Sequence, residues 1–191
     1  MTTSRAYHHG DLRRAVLDAA VAVVGESGPS ALSLRDLARR AGVSHAAPAH
    51  HFGDKTGLLT ALATEGYTLL ADALEAELRR SGQLIEVGVA YVQFAVGHRA
   101  HFEVMFRPEL YRVDDPEVQT AQARAAAGLS AGVDAVRGRR AGADPELAGV
   151  AAWSIVHGFA TLWINGALPP EIGADPSAAA RSVAGLLFPP P

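Results

Sequence analysis

Residues 33–59 concentrate side chains that could bind an anionic polymer rich in hydrogen-bonding groups. They read SLRDLARRAGVSHAAPAHHFGDKTGLL and hold three histidines, three arginines and the only lysine of the chain. Imidazole can donate or accept at a base edge or bond a phosphate, and alanine can meet a thymine methyl. An ammonium group reaches phosphate as a point charge. The segment therefore carries the chemistry needed to contact nucleic acid, above all through His45, Ala46, Ala49, His50 and Lys55.

Two short helical patterns around a tight turn would position these side chains. We expect one helix to begin at Ser33, whose hydroxyl can cap free N–H groups, with Asp36 three residues on. Gly42 supplies the positive φ that ends this helix. Ser44 is then expected to cap a second helix at about 45–51. This arrangement predicts a helix-turn-helix, which places a short helix in the major groove of DNA.

The rest of the chain also reads as helices, since no sustained period-two alternation indicates a strand. A long helix is expected at about 55–80, followed by helices near 83–98 and 99–110. Three later helices share one start signal, a capping Asp before a Pro in the first helical position. These are Asp115-Pro116, Asp144-Pro145 and Asp175-Pro176.

We therefore expect an all-α fold of about nine helices in two parts. Residues 1–55 form a three-helix bundle that contains the helix-turn-helix, and the helix at about 55–80 links it to the second part. Residues 83–191 form a larger helical domain.

Charge is distributed unevenly along the chain. The net charge is −3 with no cysteine, which excludes disulfides and cysteine-based metal sites. Residues 1–55 carry seven basic against five acidic groups and five of the eight histidines, whereas residues 56–191 carry ten against fifteen. A weakly cationic N-terminal part joined to an acidic remainder suits a protein that contacts phosphate only through its N-terminal part. The N-terminus lacks the apolar run of a signal peptide, so we expect a cytoplasmic protein.

Residues 147–170 contain no Asp, Glu, Lys or Arg and are long enough to span a bilayer. No basic cluster flanks them to orient such a span. We expect instead no membrane contact and a helix buried between two subunits, because one subunit cannot cover so many apolar faces. The dimer surface should come from the last two long helices, at about 146–166 and 176–187.

Aromatic and polarisable side chains of the second part are candidates for a small-molecule pocket, since pockets are mostly apolar with a few polar groups. They are Tyr91, Phe94, His98, Phe102, Met105, Phe106, Trp153 and His157. The same residues could equally be core. His98 and His101 have a spacing that some metal sites use, but no third ligand accompanies them. We expect neither a metal nor a cofactor.

Two other functional classes stay open at this point. An enzyme could use His50 and His51 with Asp54 as an acid–base site, although the chain has no phosphate-binding glycine loop, nucleophile elbow or zinc-protease motif. A helical adaptor could bind protein through the surface of residues 33–59. A steep loss of DNA affinity with salt would separate a DNA-binding protein from both.

Three stretches of the sequence carry a resemblance to a known family. Residues 11–60, through LSLRDLARRAGVS and HHFGDKTGLL, resemble the N-terminal domain of the tetracycline-repressor-like (TetR) family of bacterial transcription regulators. AWSIVHGFATLWINGAL (152–168) resembles the Trp-His-Gly stretch of one C-terminal domain type in that family. YVQFAVGHRAHFEVMFRPEL (91–110) is similar to the helix pair of the same type.

The resemblance implies an all-helical homodimer that regulates transcription, most simply as a repressor. Its helix-turn-helix binds a palindromic operator, and a small molecule bound by the C-terminal domain lowers operator affinity. The positions implied to contact DNA are Ser33, Arg35, Ser44, His45, Ala46, Ala49, His50, His51 and Lys55. One departure is Ala49, where the family usually has a tyrosine that touches the DNA backbone. Another is Pro48, which removes a backbone donor early in the recognition helix.

Overall fold

The computed structural model describes residues 9–137 and 144–187, and every regular element in these ranges is helical. The α-helices are α1 (His9–Ser27), α2 (Leu34–Arg40), α3 (Ala47–Phe52), α4 (Lys55–Ser81), α5 (Leu84–Gly97), α6 (Arg99–Met105), α7 (Pro116–Arg137), α8 (Pro145–Ile164) and α9 (Pro176–Leu187). Three short 3-10 helices lie at Pro29–Ala31, Pro108–Leu110 and Pro170–Ile172. The expected all-α fold of about nine helices is confirmed.

The three Asp-Pro start signals correctly predicted the first residues of α7, α8 and α9. In each case the carboxylate accepts a hydrogen bond at 2.9 Å from the backbone N–H two residues on, which belongs to Glu117, Glu146 or Ser177. Each carboxylate satisfies a donor that the first turn of a helix leaves without a partner.

In the helix-turn-helix, one predicted helix start was wrong and one predicted capping hydrogen bond is not made. Ser33 does precede α2, but its side chain makes no capping hydrogen bond. The next helix does not begin near His45 with Ser44 as its cap: α3 begins at Ala47. Pro48 explains the shift, because proline is tolerated only in the first turn of a helix. The residues before Ala47 form a turn in which its N–H donates to the carbonyl of Ser44 at 3.0 Å.

The predicted helix at 99–110 is also shorter than expected. α6 ends at Met105, and a separate 3-10 turn begins at Pro108. Arg107 has φ −124° and ψ 76°, outside the helical region, as the residue before a proline prefers.

The described residues form two compact units. The first contains the chain up to Glu65 together with Ala100–Val118, and the second contains Gly66–Arg99 together with the chain from Gln119. The two units are defined by contacts within the fold, which is a different criterion from a domain boundary in the sequence. The domains expected from the sequence, residues 1–55 and 83–191, therefore stay a prediction.

Each unit has its own apolar core. In the first, α1 packs on α2 and α3, and Val16, Leu37 and Leu58 are fully buried. In the second, α5 packs on α8 and α9 and buries Tyr91 and Val92 completely. Burial of one such aliphatic side chain stabilises the fold by about 1.5–3 kcal/mol.

Candidate nucleic-acid interface and effector site

The turn between α2 and α3 has the geometry of a helix-turn-helix. Gly42 adopts φ +65°, a conformation that favours glycine, and the Val43 N–H donates to the carbonyl of Ala38 at 3.0 Å. α3 is anchored by Pro48 and Phe52, both buried. The anchoring therefore turns the opposite side of α3 to solvent.

The predicted DNA-contacting residues run from the start of α2 to the start of α4. Arg35, Ser44, His45, Ala46, Ala49 and His50 are exposed, and Ser33, His51 and Lys55 are half-buried. The whole predicted set therefore belongs to the first unit, and six of its nine residues are exposed.

Lys55 lies at the start of α4 and points one donor back into the protein. Its Nζ donates to the backbone carbonyl of Ser30 at 3.0 Å. An ammonium group has three donors, so two are left for an external acceptor. This bond holds the cation beside the 3-10 turn at Pro29–Ala31.

The junction between α3 and α4 is closely packed. Gly53, at φ +75°, ends α3, and Asp54 accepts from the Gly57 N–H at 2.6 Å. A Cβ atom at Gly57 would collide with the carbonyl oxygen of Phe52. Glycine at position 57 therefore lets the end of α3 lie directly against the first turn of α4.

Arg112 binds this junction, a contact that the sequence did not predict. Its guanidinium donates to both carboxylate oxygens of Asp54, at 2.9 and 2.8 Å, and its backbone N–H donates to Oγ1 of Thr60 at 3.1 Å. The hydrogen bond from Gly57 and the charge of Arg112 lower the pKa of Asp54. No sequence signal relates residues 58 apart, so only the fold could reveal the pair.

A polar cleft of about 160 Å³ lies in the same unit. It is lined by Arg13, His51, Phe52, Gly57, Thr60, Ala61, Thr64, Arg112, Asp115 and Glu117. The guanidinium of Arg13 lies 5.5 Å from the centre of the Phe52 ring, a distance typical of a cation–π contact. Cationic and anionic groups both line the cleft, so it has no uniform charge.

Three of the predicted effector-site residues meet in the second unit. Trp153 Nε1 donates to Oη of Tyr91 at 3.3 Å, and that hydroxyl lies 3.0 Å from Nδ1 of His157. Burial raises the pKa of Tyr91 and lowers the pKa of His157. Both shifts favour the neutral forms, so a neutral chain runs from Trp153 through Tyr91 to His157.

The other predicted effector-site residues do not join this chain. Phe94 stacks on His98, with ring centres 5.0 Å apart, in the second unit. The rings of Phe102 and Phe106 contact each other edge-on. Met105, which precedes Phe106 in the sequence, is buried, and all three residues belong to the first unit. Phe94, Phe102 and Met105 are buried enough to serve as core.

No group of three or more His, Cys, Asp or Glu side chains converges within the described ranges in a way that could hold a metal ion. The expectation of a protein without a metal site rests on the sequence alone.

The last two helices carry apolar side chains that the chain itself leaves open to solvent. Leu147, Val150, Trp153 and Leu162 on α8 are 42–68% exposed, and Leu186 on α9 is 83% exposed. By length and composition alone, Glu146–Ile164 could cross a membrane, and 22% of this apolar stretch is buried. These side chains therefore form an apolar surface that the described part of the chain does not cover.

Two family models match most of the chain. Residues 16–62 match the model described as bacterial regulatory proteins, tetR family. Residues 84–186, more than half of the chain, match the model described as tetracyclin repressor-like, C-terminal domain.

Individual relatives agree with these matches. A protein of unknown function from Rhodococcus sp. RHA1 has a similar structure, with a TM-score of 0.82 and 32% identity over 97% of each chain. The HTH-type transcriptional regulator BetI of Cronobacter sakazakii is 38% identical over 71 residues, which are 37% of this chain and 35% of BetI. The HTH-type transcriptional repressor Rv3405c of Mycobacterium tuberculosis is 37% identical over 84 residues, 39% of this chain and 45% of the repressor. The alignments to these two curated relatives thus span less than half of their length.

Proposed function

Because this chain belongs to the TetR family of bacterial regulatory proteins, we propose that it is a DNA-binding transcriptional regulator that responds to a small molecule. In this proposal it is a repressor that binds a palindromic operator as a homodimer in the cytoplasm. The observation that carries the proposal is the helix-turn-helix, in which Pro48 and Phe52 anchor α3 and leave its other side in solvent.

We assign the DNA contacts to this solvent side and to the start of α4. Lys55 and Arg35 contact phosphate, and the segment from Ser44 to His51 lies at the groove, within reach of base edges and of the phosphates that flank it. Ala49 offers only a methyl group, so backbone contacts must come from its neighbours. The full proposed set is Ser33, Arg35, Ser44, His45, Ala46, Ala49, His50, His51 and Lys55.

We assign the dimer interface to the exposed faces of α8 and α9. Small residues separate the large apolar ones: Ala151, Ser154 and Gly158 lie on α8 between Val150 and Leu162. A Cβ at Gly158 would meet nothing within 4 Å, so a second backbone has room to approach. A two-fold axis would pair α8 and α9 with their copies and cover both faces.

Effector control follows from the geometry of DNA. Two recognition helices enter successive major grooves when they lie about 34–36 Å apart. A ligand that prefers another conformation of the dimer shifts the population away from DNA by its differential affinity for the two states. We place this ligand beside the polar chain of Tyr91, Trp153 and His157 and the nearby Phe94 and His98.

Selection of bound duplexes from random DNA, followed by a salt titration, tests this function. We expect an enriched palindrome and an affinity that falls steeply with salt, because phosphate contacts release counterions. An adaptor, or an enzyme using His50, His51 and Asp54, would enrich no sequence. Absence of any enrichment at low ionic strength would reject the proposal.

A further inference from the structure

Three of the six permanent cations in the described residues up to Lys55 form ion pairs at the protein surface. Arg14 pairs with Asp18 and Glu65, both at 2.6 Å. Arg39 pairs with Asp36 at 3.4 Å, and Arg40 with Glu26 at 3.2 Å. In the described part of this region, Arg13, Arg35 and the two remaining donors of Lys55 are therefore the fixed positive groups without an ion-pair partner of their own.

Histidines occupy the surface where such a protein needs positive charge. His45 lies in the turn before α3, and His50 and His51 lie in its last turn. His45 and His50 are exposed, His51 is half-buried, and the rings of His50 and His51 meet edge-on with centres 5.4 Å apart. Imidazole is the side chain whose ordinary pKa lies between pH 5 and 8.

The charged groups named around these histidines are six cations and four anions. On the side of the polar cleft, His51 faces Arg13 and Arg112 and also Asp115 and Glu117. These four charges sum to zero. α2, which packs on α3, carries Arg35, Asp36, Arg39 and Arg40, and α4 begins with Lys55 after Asp54. Asp36 and Asp54 are each held by an arginine.

We propose that His45, His50 and His51 contact DNA phosphates in their protonated form, so that operator binding takes up protons and strengthens as pH falls. This inference rests on the proposed function and adds to it a dependence on pH. A charged imidazole beside phosphate forms a charge-assisted hydrogen bond, whereas the neutral ring offers only an ordinary one. The protonated histidines thereby provide positive charge for phosphate that permanently charged arginines would otherwise have to provide.

Two quantities follow for the wild-type dimer. Each phosphate neutralised steepens the slope of log affinity against log salt by about 0.9, so each of the three histidine positions, present in both subunits, steepens it by about 2. We expect affinity to rise at least roughly tenfold between about pH 8 and about pH 6 at low salt.

The experiment measures affinity for the selected duplex at about pH 6 and pH 8 across a salt series. Three variants accompany the wild type. The triple change His45→Gln, His50→Gln and His51→Gln removes the titrating groups. The double change His45→Lys and His50→Lys makes two charges permanent. Gln122→Lys adds a permanent charge at an exposed position of α7, in the second unit, as the matched control.

We expect the triple variant to have the same affinity at both pH values, equal to that of the wild type near pH 8. Its slope of log affinity against log salt should be shallower than that of the wild type near pH 6. The lysine variant should bind tightly near pH 8 as well, and it keeps the test decisive if the triple variant fails to fold. The control should retain the full pH effect.

Wild-type binding with the same affinity and slope at both pH values would overturn the inference and leave the proposed function intact. Retention of the pH effect in the folded triple variant would overturn the assignment to these histidines. Absence of binding at either pH would overturn both the inference and the proposed function.

Discussion

At the scale of single residues, Gly57 is required by contact rather than by backbone conformation. An added methyl group would strike the carbonyl oxygen of Phe52 and the guanidinium of Arg112. The arginine can move aside, but the carbonyl belongs to the backbone that ends α3. Position 57 therefore controls how closely α3 approaches α4.

We predict that Gly57→Ala destabilises the protein by about 1–3 kcal/mol, the usual cost of overpacking. The midpoint of chemical denaturation measures it. Gly25→Ala is the matched control, since Gly25 lies in α1 and a Cβ there meets nothing within 4 Å. Alanine is the better helix former, so the control should be stabilised by up to about 1 kcal/mol. Equal stability of the two variants would contradict the packing explanation.

Lys55 is the residue on which the phosphate contact can be tested most directly. We predict that Lys55→Ala weakens binding to specific and random duplexes alike and reduces the salt slope by about 2 for a dimer. Lys55→Arg keeps the charge and serves as control. Unchanged affinity for both kinds of duplex would refute the phosphate role.

At the scale of helices, short sequence signals and long-range contacts both matter. The start of α7 depends on a short sequence signal, because Asp115 accepts hydrogen bonds from the N–H groups of Glu117 at 2.9 Å and Val118 at 3.4 Å. Asp114, its neighbour, is exposed and has no such role among the described contacts. One carboxylate caps the helix while the adjacent one does not.

We predict that Asp115→Ala lowers the free energy of unfolding by about 0.5–2 kcal/mol, the typical value of an N-cap. Asp114→Ala should change it by less than about 0.5 kcal/mol, as expected for a surface substitution. Thermal or denaturant unfolding of the pair measures the difference. A larger loss for Asp114→Ala than for Asp115→Ala would contradict the cap assignment.

The contact between α5 and α8 makes stability depend on pH through His157. Burial lowers its pKa, so the folded state binds the proton less tightly than the unfolded chain does. The stabilising effect is fully present above the ordinary histidine pKa, and it is lost as pH falls through the lowered pKa of the folded state. In the protonated ring Nδ1 carries a hydrogen, so towards the Tyr91 hydroxyl it can only donate.

We predict that the denaturation midpoint of the wild type falls more steeply between about pH 7 and pH 5 than that of His157→Gln. His98→Gln, at a histidine whose ring stacks on Phe94, is the comparison at the end of α5. Parallel pH profiles for the wild type and His157→Gln would show that His157 does not carry this dependence.

At the scale of the whole molecule, the open apolar faces of α8 and α9 require a cover. Their exposed leucines, valine and tryptophan are ordered along two helices rather than scattered. We propose that a second copy of the chain supplies this cover, since binding to a palindromic operator would also need two copies.

We predict that the protein sediments as a dimer near twice 19.9 kDa, and that Leu162→Glu yields monomers that lose specific operator binding. A buried carboxylate without a partner is costly, so the interface should not form. Val113→Glu is the control, because Val113 is 50% exposed but lies outside α8 and α9. A wild type that stays monomeric at micromolar concentration would contradict the dimer.

The sequence alone predicted what depends on neighbouring residues. Helix starts at Asp-Pro pairs, the stop at Gly42 and the apolar periodicity of the helices are local, so the all-α class and the helix-turn-helix followed from them. The family resemblance rested on the same local strings. Even the error at the start of α3 was local in origin, because Pro48 restricts where that helix can begin.

Tertiary structure decided which distant residues meet. The Asp54–Arg112 pair, the chain from Trp153 through Tyr91 to His157, and the pairs of Arg14 with Glu65 and of Arg40 with Glu26 join residues that are far apart in the sequence. Hydrogen bonds and ion pairs act over a few ångströms in space, and the chain must be folded before those distances exist. Only the folded chain could therefore indicate which positive charges are left to meet phosphate.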